Sequence, residues 1–287
     1  MEKRQKRISG MMLIATFLIS GTIFLQMALY VIAMTTGCAS LKFHNLVEVC
    51  HVTLKAIGLS SFEYLLDTLV VFTLLFALWK LGSEMVRYFT LKIKFRLYQN
   101  SALTKELNKK YGAKKESIIV ISYPVPLAIT MGFLSPKVII STGLMNLLND
   151  DELDAVIYHE MHHQKNFDPL KIFLLSFCAS SFFYIPILKW FSSQYRIIQE
   201  LLADNLAIEK QATSMNIGSA LLKMLKVGKA DATPLVYVSF ADTSINYRIE
   251  YMLNPLKDFK LKIPVDIAFK SVMIFSLICI VFIYVLA

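Results

Sequence analysis

The 287-residue chain is 56% hydrophobic and only 18% charged, with a mean hydropathy of +0.54, whereas ordinary soluble domains run nearer ~45–50% apolar and ~25% charged. This excludes a disordered chain and favours insertion into a bilayer. On so apolar a chain the formal net charge of +9 reads as a cytoplasmic basic excess facing anionic lipid, so membrane lipid is the expected partner and direct nucleic-acid binding is not.

Residues 8–41 carry no charged side chain, and a helix needs only ~20 apolar residues to cross a hydrocarbon core. A first span is predicted over about 11–34. Lys3, Arg4, Lys6 and Arg7 before it look like the start of a signal peptide, but the apolar run exceeds the ~7–15 residues of a cleaved one, so an uncleaved anchor is expected. A second span is predicted over 62–81 and a third over 266–287, broken only by Lys270. The segment after the second span holds Arg87, Lys92, Lys94, Arg96, Lys105, Lys109, Lys110, Lys114 and Lys115, against Lys42 and Lys55 in 35–61. The positive-inside rule therefore puts the N-terminus and 82–262 in the cytoplasm and 35–61 outside. The expected organisation is an N-terminal membrane region over 1–81, a cytoplasmic domain over 82–262 and a C-terminal membrane helix. Cys38 and Cys50 share the outer loop, where a disulfide is permitted. Cys178 and Cys279 sit in apolar runs, and no Cys-x-x-Cys pair supports a thiolate metal site.

Within 82–262, three stretches rich in β-branched residues and punctuated by Pro and Gly, at 117–122, 126–130 and 136–141, predict short strands, taken as a small antiparallel sheet. A helix follows. Asn149 or Asp150 can cap it, and Asp151, Glu152 and Asp154 place negative charge in its first turns, where the dipole favours it. On that helix His159 and His163 stand four apart on one face, so both imidazoles can reach one zinc ion at ~2.0–2.1 Å. Glu160, rotated by one position, lies where a carboxylate can take a proton from the attacking water and return it to a leaving amine. The pattern His-Glu-x-x-His is the zincin arrangement. His162, about 100° from His163 around the helix, reads as a surface or supporting group.

A catalytic zinc needs a third protein ligand. Downstream, Glu200 and Asp204 are again four apart, so one carboxylate can bind the metal while the other accepts the free N–H of a ligating histidine. Between the two motifs, 170–191 is apolar enough to be a fourth span. A straight crossing would carry the chain ~30 Å to the other side of the membrane, yet His163 and Glu200 must meet at one ion. Ala179-Ser180-Ser181 and Pro186 offer places to turn, so a re-entrant helical hairpin is expected.

With these motifs in order, the sequence resembles the membrane gluzincins, namely the BlaR/MecR-like antirepressor metallopeptidases and their HtpX-like relatives. Gly132-Phe133-Leu134-Ser135-Pro136-Lys137-Val138-Ile139 is similar to that family's Gly-x-x-x-Pro-x-Ile stretch, and Arg248-Ile249 to its Arg-Ile pair. The resemblance, over about 80–287, implies that Glu200 is the third zinc ligand, that Asp204 orients a histidine, and that Arg248 supports the carboxylates. It also makes Gly132, Phe133, Leu134 and Ser135 the expected substrate-binding stretch, with an exposed sheet edge pairing with a peptide. The implied fold is mainly α and integral to the membrane, with three spans, a re-entrant hairpin and a cytoplasmic α+β zincin domain. The implied activity is a zinc-dependent metalloendopeptidase acting on a cytoplasmic or membrane-proximal protein. That protein is expected to be a transcriptional repressor in signal transduction or, as in HtpX-like enzymes, a damaged membrane protein.

Two features depart from the pattern. The β-lactam sensors continue into an outer penicillin-binding domain, while this sequence stops at Ala287, so sensing of that kind is not expected. No histidine lies in 239–247 before the Arg-Ile pair, which leaves the oxyanion-stabilising group unassigned. The competing class is a non-proteolytic receptor or scaffold with a structural metal; an intact Glu160 argues against it, since a structural site has no use for that carboxylate.

Overall fold

The computed structural model describes residues 2–36, 55–56, 63–112, 116–228, 242–253 and 264–274. The expected Cys38–Cys50 bridge, most of the 35–61 loop and residues 275–287 of the third span lie outside them. The chain divides into two compact units, one built from 1–9, 86–173 and 194–259, the other from 10–85, 174–193 and 260–287.

Helices α1 (Glu2–Thr36) and α2 (Glu63–Leu97), which belong mostly to the second unit, hold the two described helices long and apolar enough to cross a membrane, over Glu2–Ile32 and Asp67–Leu97. Both run well past the predicted bounds. Their outward faces carry Ile14, Leu18, Leu25, Leu75, Leu78 and Trp79, all exposed. At ~25 cal/mol per Å² such faces are costly in water and suited to lipid. The inward faces supply Met27, Tyr30 and Val70 to a core shared with Phe182, Ile185 and Leu188, and the Tyr30 hydroxyl donates to Asp67 Oδ1 at 2.6 Å. A further helix is described over 265–274, the start of the third predicted span.

The apolar stretch 170–191 is not one straight rod. It is divided between α6 (Asp168–Ser181) and α7 (Pro186–Gln211). The turn closes where Phe182 N–H donates to Cys178 O at 3.0 Å and Ile185 N–H to Phe182 O at 2.9 Å. Pro186 then opens α7 at the one helical position where a missing N–H costs nothing.

The first unit is built on a three-stranded sheet of β1 (Ile118–Ile121), β2 (Ala128–Met131) and β3 (Lys137–Ser141), in the order β1-β3-β2. The sheet is mixed, not antiparallel as expected. β2 and β3 form an antiparallel hairpin, but β3 then lies parallel to β1, with Ile118 opposite Val138. Parallel neighbours need a crossover of a dozen or more residues, which 122–136 provides with β2 inside it. Gly132, at φ +121°, opens the hairpin turn; a Cβ there would sit 2.7 Å from the Ser135 carbonyl oxygen.

Alternation along the strands sends Ile118, Val120, Val138 and Ile140 to one face, against Leu107 of α3 (Ser101–Lys110), Val156 and Ile157 of α5 (Asp150–Lys165) and Ala220 of α8 (Met215–Gly228). Ile121 and Ile139 pack on the other face with Phe95 and Leu127. Between sheet and α5 lies the short α4 (Thr142–Leu147), and α9 (Asp242–Leu253) follows α8.

Helix α5 is pinned at both ends. At its start Asn149 and Glu152 form a reciprocal capping box, with Glu152 N–H to Asn149 Oδ1 at 2.8 Å and Asn149 N–H to Glu152 Oε2 at 3.0 Å. Glu152 also accepts from Ser219 at 2.6 Å and Lys223 at 2.7 Å on α8. At its end the Gln164 amide donates to Ser117 O at 3.0 Å and Pro136 O at 2.8 Å, binding the helix to the residues immediately before β1 and β3.

Candidate metal centre

Two histidines of α5 line a cavity together with the core residue Val156. His159 and His163 are both buried, with Nε2 atoms 3.2 Å apart. Glu200, on α7, comes to meet them: its Oε2 lies 3.4 Å from His159 Nε2 and its Oε1 3.6 Å from His163 Nε2. These three ligand atoms lie within 4.8 Å of one another.

The other ring nitrogens each lie beside a carboxylate. His159 Nδ1 lies 2.8 Å from Asp204 Oδ1, and His163 Nδ1 lies 2.9 Å from Asp168 Oδ2, both aspartates being fully buried. With a carboxylate beside Nδ1 of each ring, hydrogen-bonded in His163 and in close charge contact in His159, both Nε2 atoms are left to face the same point, together with a third carboxylate. Three electron-rich groups so close repel one another unless a cation sits among them. This donor set of two neutral imidazoles and one carboxylate fits a divalent metal.

Arg248, on α9, is buried and binds Asp204 through two parallel bonds of 2.8 Å, from Nε to Oδ2 and from Nη2 to Oδ1, while its Nη1 lies 3.1 Å from Glu200 Oε2. Burial alone would lift the Glu200 carboxyl, but His159, the Arg248 charge and His163 together hold it well below the usual range. Asp204 is likewise lowered against burial, first by Arg248 and then by His159. Burial and the Arg248 charge depress His159, yet Asp204 and Glu200 outweigh them and raise it to about 9. A metal at this point therefore competes with a proton for His159.

Glu160 faces the same cavity, which has a volume of about 340 Å³. The Thr130 hydroxyl donates to its Oε2 at 2.8 Å and lies 2.9 Å from its main-chain oxygen. Thr130 belongs to β2, one of the sheet's two edge strands, and residues 126–131 line one wall of the cavity. The walls are otherwise largely apolar, with Leu91, Ile172, Ile217 and Leu221 among them.

The structure thus brings together His159, Glu160, His163, Glu200, Asp204 and Arg248. It puts Gly132, Phe133, Leu134 and Ser135 in the β2–β3 turn, next to the cavity-lining strand and not in the wall itself. There the Phe133 ring stacks 5.0 Å from Tyr88 and lies tilted 4.8 Å from Phe173, and Leu134 is exposed. His162 is not a surface group: it is buried, its Nε2 finds no partner among the described residues, and burial, with help from His163, lowers it to about 4.

Two participants escaped the sequence reading, Thr130 and Asp168. Thr130 sits in a strand like any other β-branched residue and carries no signal. Asp168 had one: Asp168-Pro169 is a helix-start pair. It closes on His163 because Phe167, in the left-handed region at φ +55°, reverses the chain between α5 and α6.

The buried His-Glu-x-x-His helix faces Glu200 and Asp204, and the family model described as BlaR1 peptidase M56 matches residues 10–252, which include all of them. The chain belongs to the BlaR1 peptidase M56 family. It is also similar to Protease HtpX homolog 2 of Methanosarcina mazei, 37% identical over 73 residues, covering 25% of this chain and 25% of that protein. The Protease HtpX homolog of Caldanaerobacter subterraneus subsp. tengcongensis is 33% identical over 89 residues, covering 30% of this chain and 29% of its own. That of Thermoplasma volcanium is 28% identical over 97 residues, covering 33% and 32%. The matched stretch thus spans a quarter to a third of these relatives. Membership in the M56 family accounts for the metal-competent cluster and the apolar helices in one chain.

Proposed function

We propose that the protein is an integral-membrane zinc metalloendopeptidase. His159, His163 and Glu200 hold the ion, Glu160 is the general base, and Asp204 and Asp168 each orient one histidine. The observation that carries this reading is the convergence of both Nε2 atoms and the Glu200 carboxylate within 4.8 Å beside a cavity that also receives Glu160. Zinc, when bound, supplies the Lewis acidity that polarises the scissile carbonyl and makes water a nucleophile at neutral pH.

The chain's own groups do the rest. An extended peptide laid along the free edge of β2 is aligned by main-chain hydrogen bonds. Glu160, steadied by Thr130, removes a proton as the water oxygen bonds to the carbonyl carbon, then returns that proton to the nitrogen as the C–N bond breaks. Arg248 holds Asp204 and Glu200 in place, which fixes the direction in which each carboxylate acts. The largely apolar walls keep bulk water from these charges, which strengthens every interaction among them.

The distribution of Lys and Arg supports a cytoplasmic N-terminus and catalytic unit, with α6 and α7 entering and leaving the bilayer from that side. A cytoplasmic or membrane-proximal protein is then the substrate. Family membership favours a transcriptional repressor in a signalling pathway, while the local similarity to HtpX homologues favours turnover of damaged membrane proteins. Comparing proteomes of cells carrying wild type and Glu160→Gln separates the two, because the substrate persists intact only in the mutant.

The biochemical test uses the full chain in detergent. About one zinc per chain is expected, retained in Glu160→Gln while peptidase activity is lost; His159→Ala, His163→Ala and Glu200→Ala should each lower the zinc content. Loss of zinc in Glu160→Gln, or full zinc in Glu200→Ala, would refute the assigned roles.

A further inference from the structure

Two guanidinium groups line the cavity, and they differ in one respect. Arg248 is neutralised by Asp204 and Glu200. Arg196, half-buried on α7 one turn before Glu200, reaches the same cavity and makes no hydrogen bond or ion pair with any described residue. Long charged side chains are seldom drawn into a largely apolar wall without a counter-charge. What this cation lacks within the protein, a ligand can supply.

Its position says which part of a ligand. Residues four apart on a helix are stacked ~6 Å apart along the axis, and both side chains lean toward the N-terminus, so the Arg196 head stands about one helical turn from the Glu200 carboxylate. That distance removes it from the scissile carbonyl and makes it a poor stabiliser of charge developing there. It corresponds to two or three residues of an extended peptide, at ~3.3 Å each. The planar fork of a guanidinium matches a carboxylate through two parallel hydrogen bonds.

We infer that Arg196 is a specificity-determining residue that binds a carboxylate of the peptide substrate, two or three residues from the scissile bond. The inference rests on the peptidase reading above. The carboxylate is either an acidic side chain or the C-terminus of the peptide, and the two sources are separable.

The test uses full-length Glu160→Gln, which should bind peptide without cutting it, in detergent with zinc present. Four fluorescent peptides of one sequence are compared by anisotropy: with Glu or with Gln at both the second and the third position from the scissile bond, each ending in a free acid or an amide. The Glu-containing or the free-acid peptides should bind on the order of 10- to 100-fold more tightly than their neutral counterparts, the range of a hydrogen-bonded charge pair. Adding Arg196→Gln should erase that preference while leaving affinity for the neutral peptide and the zinc content unchanged. Arg196→Lys should keep part of it. In the otherwise wild-type enzyme, Arg196→Gln should raise KM for the favoured peptide with little change for the neutral one.

Equal binding of all four peptides overturns the inference alone, as does a preference that survives Arg196→Gln. Loss of binding to anionic vesicles in Arg196→Gln, with peptide discrimination intact, also overturns it and assigns the guanidinium to lipid phosphate. Absence of both peptide binding and cleavage in zinc-loaded wild type overturns the peptidase reading itself, and this inference with it.

Discussion

Replacing Asp168 by asparagine tests the metal centre at the point where the sequence was least informative. The substitution preserves shape but removes the charge that faces His163 Nδ1 at 2.9 Å. Groups that orient a metal-ligating histidine typically contribute 10- to 100-fold in metal affinity, or about 1.4–2.8 kcal/mol. The amide oxygen of an asparagine can still accept a hydrogen bond, so the lower part of that range is expected, near tenfold. Asp168→Ala, which leaves His163 Nδ1 without its partner, should lie near the upper end. Asp204 is a poorer probe although its geometry is similar. It also balances the buried Arg248 through two hydrogen bonds, and stranding one member of a buried ion pair costs about 3–5 kcal/mol, enough to unfold a marginal domain. The assay is zinc competition against a chromophoric chelator on the full chain in detergent, with thermal unfolding followed in parallel. Unchanged affinity in both Asp168 variants would refute the orienting role; a collapse in melting temperature in Asp168→Asn would mean that the aspartate serves the fold.

Three other outcomes follow from the same geometry. Thr130→Val removes the hydroxyl that donates to Glu160 Oε2 and should lower kcat about tenfold, part of the ~1.5–3 kcal/mol of a hydrogen bond to a charged group, with zinc content unchanged; a kcat within twofold of wild type would mean that Glu160 is held by other means. Burial would raise the Glu152 carboxyl, but bonds from Lys223, Ser219 and the Asn149 N–H lower it below its ordinary 4.5. Because a depressed folded-state pKa stabilises above the unfolded value and is lost as pH falls through the folded one, melting temperature should drop below about pH 4.5 more steeply in wild type than in Glu152→Gln, and parallel curves would contradict this. Single cysteines at Asn166 and Gln194, in a background without native Cys, should both resist a membrane-impermeant thiol reagent in intact cells and react after lysis; labelling of position 194 without lysis would rule out a hairpin with both ends in the cytoplasm.

Local chemistry made much of this protein legible. The helix start at Asn149 or Asp150 and the spacing of His159, Glu160 and His163 are written within one helix, where a fixed 3.6-residue period turns sequence directly into geometry; that Asn149 and Glu152 cap it reciprocally came from the structure. The pairing of Arg248 with the carboxylates was legible only through resemblance, because nothing local ties α9 to α7. The sheet was half legible. Pro, Gly and β-branched residues marked where strands begin and end, but pairing is decided by which strand the β2–β3 hairpin brings beside β1, a non-local choice that strand composition does not encode. Thr130 and Asp168 were missed for a related reason: a single oxygen has a role only once the chain has placed it against a partner, and both partners lie on α5.

The stretch 170–191 shows how one chemical requirement can overrule a bulk average. Hydropathy sums side chains over a window and cannot distinguish one long helix from two short ones joined at 182–185. The metal cluster supplies what the average lacks, because His163 ends one side of that stretch and Glu200 follows the other. On the proposed assignment, the hairpin is the covalent link that carries the third ligand to the first two. Zinc binding then stabilises the arrangement of α5 and α7 in proportion to its affinity, since an ion that binds only the assembled set favours that set by mass action. Removing the ion should therefore loosen the delivery of Glu200 before it disturbs the His159–His163 face, because those two histidines are fixed by one continuous helix pinned at both ends, whereas Glu200 comes from a second helix and is steadied there by Arg248 at 3.1 Å.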